Sequence, residues 1–359
     1  MNPTKALHGA GQSLWLDNIT RTILDDGTLA GYIADLGITG LTSNPTIFEK
    51  AIEGGGAYEE QIHACHEQGL GEEETFFEIA VADLQRAADL FLPAYEASGT
   101  VDGFVSLEVS PELAYDTSST IDQAVSLHGK AGRPNLFIKI PGTPEGLPAI
   151  EEAIYNGVPV NVTLLFSADQ YLAAAEAYHK GLDRRIAEGL SPDVRSVASV
   201  FISRWDVAAN DEVPEALHNK LGLAVGRDCY RAYRELLDSD RFQKIESDGG
   251  RAQRLLFAST GTKDPNASDI LYVEGLAAPN TVNTMPENTL LAYADHGPAD
   301  PELLSPDGGD CTAVMQEFTE AGVDLDALAA RLQSEGAEAF VKSWKSLIAT
   351  IASERSAIG

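Results

Sequence analysis

Basic residues are scarce in this chain. Its 359 residues carry 25 Lys and Arg against 55 Asp and Glu, a formal net charge of −30 at pH 7. So acidic a surface repels the phosphates of nucleic acid and of anionic membranes, and neither is expected as a partner. Cysteine is scarcer still. Cys65, Cys229 and Cys311 are far apart and odd in number, which argues against a disulfide framework and for reduced thiols in a cytoplasmic protein. No apolar run approaches the roughly 18 residues that a bilayer span needs. The stretch Met1 to Gly11 lacks the basic-then-apolar pattern of a secretory leader. There is no internal repeat, low-complexity tract or convincing linker. The expectation is one domain over residues 1–359, with 325–357 a C-terminal helical extension.

What remains is a chain that is 44% hydrophobic and able to bury a large core. Its length suggests two domains, but α/β barrels reach this size as one. Eight segments read as strands: Leu14 to Ile19, Ile38 to Ser43, Gly103 to Val109, Asn135 to Ile140, Val158 to Phe166, Ser196 to Ser203, Arg254 to Thr260 and Ile270 to Glu274. Several are continuous apolar runs, as parallel strands covered by helices should be. Between them helical periodicity is clear. In Glu74 to Ala97 the residues Phe77, Ala80, Val81, Leu84, Ala88, Phe91 and Tyr95 recur every three or four positions. Ala168 to Arg185 is alanine-rich, with Ser167 as its N-cap. The pattern predicts a (β/α)8 TIM barrel, with an open doubly wound sheet as the alternative. Additional helices are expected in the long connection after the second strand and at the C-terminus.

Lys139 stands inside the apolar segment Asn135-Leu-Phe-Ile-Lys-Ile-Pro141. Lysine is rarely buried unless paired or used. Removing an amine from water favours its neutral form, which can attack a carbonyl to give a Schiff base. A buried ion pair with Glu108, in Val105-Ser-Leu-Glu-Val-Ser-Pro111, is the structural alternative. In a barrel the C-terminal ends of the strands converge on one pocket. Here those ends carry Asp17, Asn44, Glu108, Lys139, Asn161, Thr163, Ser199, Arg204, Ser259 and Lys263. Each has a bland reading: Asp17 as a helix cap, Asn161 and Thr163 as core polar groups, Arg204 as a surface cation. Taken together they suit an aldol mechanism. Lys139 forms an iminium that serves as electron sink, and Asp17 takes the proton from the alcohol whose collapse breaks the bond. Glu108 and Thr163 hold the water expelled and re-added. Arg204, Lys263, Ser199 and Ser259 grip a phosphate.

The segments Leu14-Trp-Leu-Asp-Asn-Ile-Thr-Arg21, Gly40-Leu-Thr-Ser-Asn-Pro-Thr-Ile-Phe48, Phe137-Ile-Lys-Ile-Pro141, Asn161-Val-Thr-Leu-Leu-Phe-Ser167, Ser199-Val-Phe-Ile-Ser-Arg204 and Ala258-Ser-Thr-Gly-Thr-Lys263 resemble those of the transaldolase family, over roughly residues 12 to 352. The resemblance implies a cofactor-free pentose phosphate pathway enzyme; monomer and homodimer both stay open. Such an enzyme moves a dihydroxyacetone unit from sedoheptulose 7-phosphate to glyceraldehyde 3-phosphate, giving erythrose 4-phosphate and fructose 6-phosphate. It implies Lys139 as the Schiff-base lysine, Asp17 as acid/base, Glu108 with Thr163 as the water-holding pair, and Asn44 and Asn161 as ligands of the dihydroxyacetone hydroxyls. Ser199 and Arg204 match substrate and phosphate ligands. Many members place an arginine after the seventh strand, where this chain offers Lys263, a point charge rather than a fork. The sibling fructose 6-phosphate aldolase resembles a shorter chain with glutamine at the place of Glu108 and tyrosine at that of Phe201, so transfer is favoured over net cleavage. A non-catalytic sugar-phosphate-binding barrel is a further alternative, against which the full catalytic set argues.

Three signals are set aside. His63, Cys65 and His66 lack a second ligand pair, and no metal is expected. Gly261-Thr262-Lys263 echoes a P-loop without its Ser or Thr. Gly54 to Gly56 reads as a turn.

Overall fold

The computed structural model describes residues 2–54 and 56–358. Its strands are Gln12–Leu16 (β1), Gly40–Leu41 (β2), Val105–Glu108 (β3), Leu136–Pro141 (β4), Val160–Leu165 (β5), Ser196–Phe201 (β6), Gln253–Ala258 (β7) and Thr281–Met285 (β8). Each pairs in parallel with the next, and β8 returns to β1, closing the barrel. Every strand residue is buried except the part-exposed Arg254, because helices sheath the outer face while side chains fill the inner one. The (β/α)8 expectation holds, and the open sheet does not.

Seven of the eight expected strands lie in place within a few residues. The eighth does not. Ile270 to Glu274 falls on the short helix Leu271–Gly275, and β8 is Thr-Val-Asn-Thr-Met, eleven positions later. A four-residue apolar run such as Ile-Leu-Tyr-Val fits strand or helix equally. The true strand was hidden by polar residues whose partners lie inside the barrel. Thr281 Oγ1 accepts from Gln12 Nε2 at 2.9 Å, and Asn283 Oδ1 accepts from Thr260 Oγ1 at 2.8 Å.

The helices follow their periodicity. Glu72–Ala97 matches the expected span closely, and Ala168–Ala187 starts at Ser167, whose hydroxyl accepts from the Gln170 amide. The long connection after β2 holds Pro45–Glu53, Glu59–Glu67 and Glu72–Ala97. The expected turn at Gly54 to Gly56 includes Gly55, which lies outside the described residues. His63, Cys65 and His66 sit on Glu59–Glu67 with separate partners: His63 lies 3.6 Å from Glu67, and His66 Nδ1 accepts from Arg355 at 3.1 Å. Among the described residues no three His, Cys, Asp or Glu side chains gather as metal ligands. Among those residues, too, no helix is long and apolar enough to cross a membrane.

The barrel floor is aromatic. Phe104 and Phe137 stack at 4.1 Å between centroids, and Trp15 lies 6.2 Å from Phe137. The Trp15 indole donates to Asp102 at 2.9 Å. Gly40 makes room for it: a Cβ there would stand 2.7 Å from the indole and 2.5 Å from the Phe104 carbonyl oxygen. The final helix, Leu325–Ile358, does not project away from the barrel. It packs along Pro45–Glu53 and reaches the end of β5, so it crosses the C-terminal mouth. Gln333 Nε2 pins it by donating to the carbonyls of Gly142 at 3.0 Å and Leu164 at 2.9 Å.

Substitution Gly40→Ala should test the floor. Neither a backbone carbonyl nor a caged indole can yield, so unfolding free energy in urea should fall by about 1–3 kcal/mol. An unchanged midpoint and slope would mean that the floor has slack.

Candidate active site

Strand register decides which side chains meet. Glu108 of β3 pairs with Lys139 of β4, and Lys139 pairs with Asn161 of β5, so the three form one row across the barrel. Lys139 is 5% exposed. Its Nζ donates to the Ser43 carbonyl at 3.0 Å and lies 3.4 Å from Glu108 Oε2. That contact is an ion pair, and neither Glu108 oxygen has a hydrogen-bond partner.

Above this row opens a cavity of about 140 Å³. Asp17, Asn44, Lys139, Thr163, Ser199, Phe201, Arg204, Ser259 and Lys263 line it. Nine of the eleven residues expected at the site therefore share one wall system. The other two stand behind it. Glu108 lies on the far side of Lys139, against a hollow of about 10 Å³ with Asn44, Phe48 and Trp344. Asn161 lies beneath the floor, where Nδ2 donates to Ser106 Oγ at 3.1 Å and Oδ1 accepts from Ser199 Oγ at 2.7 Å. Thr42, Thr284, Gly261, Pro286 and Phe340 also line the cavity and were not anticipated. Thr42 and Thr284 carried a faint signal, as hydroxyls at or beside the ends of their strands. Phe340 carried none, because the last helix read as an appendage.

Thr42 joins the acid to its neighbours. Its Oγ1 donates to Asp17 Oδ1 at 2.7 Å and lies 2.7 Å from Thr284 Oγ1. With Asp17 ionised, Thr284 donates to Thr42 and the two hydroxyls form a directed chain. Asn44 Oδ1 accepts from the Ile47 amide at 3.1 Å, capping Pro45–Glu53 and leaving its amide donors toward the cavity. Thr163 Oγ1 is buried without a partner. Beside it the β5–β6 register shifts between Val162 and Leu165, and Leu164 takes a left-handed backbone, φ 60°. Ser259, at the end of β7, is also left-handed, φ 56°. Its hydroxyl lies 2.8 Å from Ser203 Oγ. Such conformations are costly for residues with side chains and cluster at functional sites.

Burial raises the pKa of Asp17; Lys139, the Thr42 hydroxyl and Lys263 oppose it. Burial likewise raises Glu108, with Lys139 opposing and Asp17 adding to the rise. The Arg204 guanidinium is pushed below its usual value by burial, against a weaker pull from Glu335. Its Cζ lies 5.1 Å from the Phe201 ring centroid and 5.9 Å from that of Phe340. Among the described residues neither Arg204 nor Lys263 has a carboxylate oxygen within 4.0 Å.

A larger hollow, about 250 Å³, opens at the opposite end beside Phe137 and Tyr233. It holds no lysine or carboxylate of the row. Its arginines are engaged, Arg254 with Ser13 Oγ at 2.7 Å and Arg195 with Asp193 at 3.1 Å. The chemistry lies with the smaller cavity.

An interior lysine between two carboxylates, at the C-terminal mouth of a parallel barrel, is equipped for carbon–carbon chemistry through a Schiff base. That places the protein in the class of lysine-dependent aldol enzymes. The comparisons narrow the class. A family profile described as transaldolase/fructose-6-phosphate aldolase matches residues 14–351. A transaldolase of Parafrankia sp. is 43% identical over 97% of both chains. One from Thiobacillus denitrificans is 43% identical over 98% of this chain and 100% of its own. "Transaldolase 2" of Nostoc punctiforme is 40% identical over 94% of this chain and 93% of its own. The chain belongs to the transaldolase/fructose-6-phosphate aldolase family.

The raised Asp17 has a consequence for stability. Unfolded, it ionises near 3.8; folded, only at higher pH. Wild-type stability therefore falls as pH rises through that window. Asp17→Asn has no such loss. Its urea stability should match wild type in acid and exceed it at neutral pH, and a gap that stays constant with pH would disprove the raised value.

Proposed function

We propose that the protein is a transaldolase of the pentose phosphate pathway. Its reaction moves dihydroxyacetone from sedoheptulose 7-phosphate to glyceraldehyde 3-phosphate, leaving erythrose 4-phosphate and fructose 6-phosphate. The observation that carries this reading is the placement of Lys139 Nζ, facing the cavity on one side and Glu108 at 3.4 Å on the other.

The ketose enters with its carbonyl at Lys139 and its phosphate toward Arg204 and Lys263. Glu108, made more basic by burial, takes the ammonium proton of Lys139, and the neutral Nζ attacks the carbonyl carbon; proton transfer from nitrogen to oxygen gives a carbinolamine. Glu108 then gives its proton to the leaving hydroxyl, so that water departs and the iminium forms. The unpartnered Thr163 hydroxyl and Glu108 carboxyl are the groups that hold this water and later add it back. Asp17 removes the proton from the hydroxyl β to the iminium carbon. The carbon–carbon bond then breaks, its electron pair moves into the iminium as an enamine, and the first aldose phosphate leaves. The acceptor aldehyde adds by the reverse steps. Ser199 and Asn44 orient the dihydroxyacetone hydroxyls; Asn161 acts on them through Ser199, to which it is bonded. Ser259 shapes the phosphate side, and Phe201 stacks on Arg204.

Barrel and C-terminal helix form one working unit, since Phe340 of the helix lines the same cavity. The three free, buried cysteines suit the reducing cytoplasm. Glu108 and Phe201 favour transfer over release of free dihydroxyacetone.

Borohydride reduction in the presence of fructose 6-phosphate should add the mass of a reduced dihydroxyacetone unit to Lys139. Lys139→Ala should stay folded and gain no such mass; an adduct on that variant would refute the assignment. Arg204→Ala should raise KM for phosphorylated substrates about 10- to 100-fold, the worth of a charge-assisted contact, with little change for D-glyceraldehyde as acceptor. Equal losses with both acceptors would indicate damage to the fold. A coupled assay that finds mainly free dihydroxyacetone would favour the aldolase.

A further inference from the structure

A glycine in mid-helix costs stability relative to alanine, and Leu325–Ile358 keeps one at Gly336 on its buried face. Gln333, Gly336 and Phe340 fall at spacings of three and four, so they share one side of the helix. That side faces the cavity mouth. Gln333 holds the helix to the carbonyls of Gly142 and Leu164, and Phe340 covers the Arg204 guanidinium. Between them the helix backbone runs close against Arg204. A Cβ on Gly336 would stand 2.9 Å from Arg204 Nη1 and 2.9 Å from Leu164 Cδ2, closer than real contacts allow.

We infer that Gly336 is a specificity-determining residue: its missing side chain lets the Arg204 guanidinium lie flat between the Phe201 and Phe340 rings, aimed at the substrate's phosphate. The helix thus acts as a template for the cation. The inference rests on the assignment of Arg204 to the phosphate. A fork-shaped donor is useful only in a fixed plane. Here two ring centroids lie 5.1 and 5.9 Å from its Cζ, and the helix backbone at Gly336 stands against Nη1. With no carboxylate of the described residues within 4.0 Å, its orientation depends on shape rather than charge. Gly336 acts through Arg204 and does not touch the reacting atoms, so it is a positioning residue.

The test is Gly336→Ala alone and combined with Arg204→Ala, assayed with glyceraldehyde 3-phosphate and with D-glyceraldehyde as acceptors. The single variant should raise KM for the phosphorylated acceptor about tenfold while kcat changes less than about threefold, the signature of lost binding rather than lost chemistry. Its KM for D-glyceraldehyde should not move. It should melt close to wild type, because both crowded atoms are side-chain ends that can shift and alanine is the better helix former. In the Arg204→Ala background the same change should have no further effect, since the two residues act as one. Borohydride trapping at Lys139 should persist throughout. The inference is overturned if KM rises equally for both acceptors, if it does not rise, or if the effect survives without Arg204. Should Arg204→Ala itself leave the preference for phosphate intact, the assignment of Arg204 falls and this inference with it. A silent Gly336→Ala beside a discriminating Arg204→Ala removes this inference alone.

Discussion

A charged amine and a carboxylate face each other at 3.4 Å inside a parallel barrel, each about 5% exposed. Taking both out of water costs more than an isolated contact of this kind returns. The rest of the molecule makes the arrangement possible. Closure of the sheet sets the register that puts Glu108, Lys139 and Asn161 in one row, and an open sheet would leave that row wet on one side. The aromatic floor of Trp15, Phe104 and Phe137 fills the barrel below. The Ser43 carbonyl gives Nζ a fixed acceptor, so the amine has a defined orientation. Remove any of these and the pair would find solvent or the wrong partner.

The same region collects the local costs that the core has to offset. Two residues with side chains, Leu164 and Ser259, adopt left-handed backbone on strands that border the cavity. Thr163 and Glu108 carry buried polar atoms without partners, each of which costs about 1–3 kcal/mol. Asp17 and Glu108 both ionise against burial. A fold built only for stability would relax all of these. Left-handed residues and unpartnered buried atoms also occur elsewhere, Thr100, Asn280, Gln12 and Asn135 among them; at this mouth they fall on or beside residues that line or back the cavity.

Much of this was legible in the chain. Seven strands were continuous apolar or near-apolar runs, and their ends named every catalytic candidate, because a barrel turns strand order into a ring of strand ends. β8 escaped because its polar residues bond inward to Gln12 and Thr260, so its pattern looked like a loop, while an apolar helix nearby imitated a strand. Asn161 was identified but its depth was not: period-two alternation gives the face of a side chain, not how far below the mouth it sits. The last helix was legible as a helix and mistaken in its destination. Gln333 and Gly336 face the barrel without being apolar, so no periodicity marked that face as one that docks over the site.

The two cations of the cavity differ in what they can contribute. Arg204 is a planar fork packed beside two rings and a helix backbone, which leave it little room to turn. Lys263 is exposed, on the loop after β7, and is one of the influences that hold the Asp17 pKa down. An exposed point charge near Asp17 can draw an anionic ligand through a surface of −30, yet it is less suited than a fork to set a phosphate's orientation. Under the proposed assignment this chain has one fork and one point charge for the phosphate, and so the burden of orientation falls on Arg204. That asymmetry accords with the close approach of the helix backbone on the Arg204 side and the exposure of Lys263 on the other.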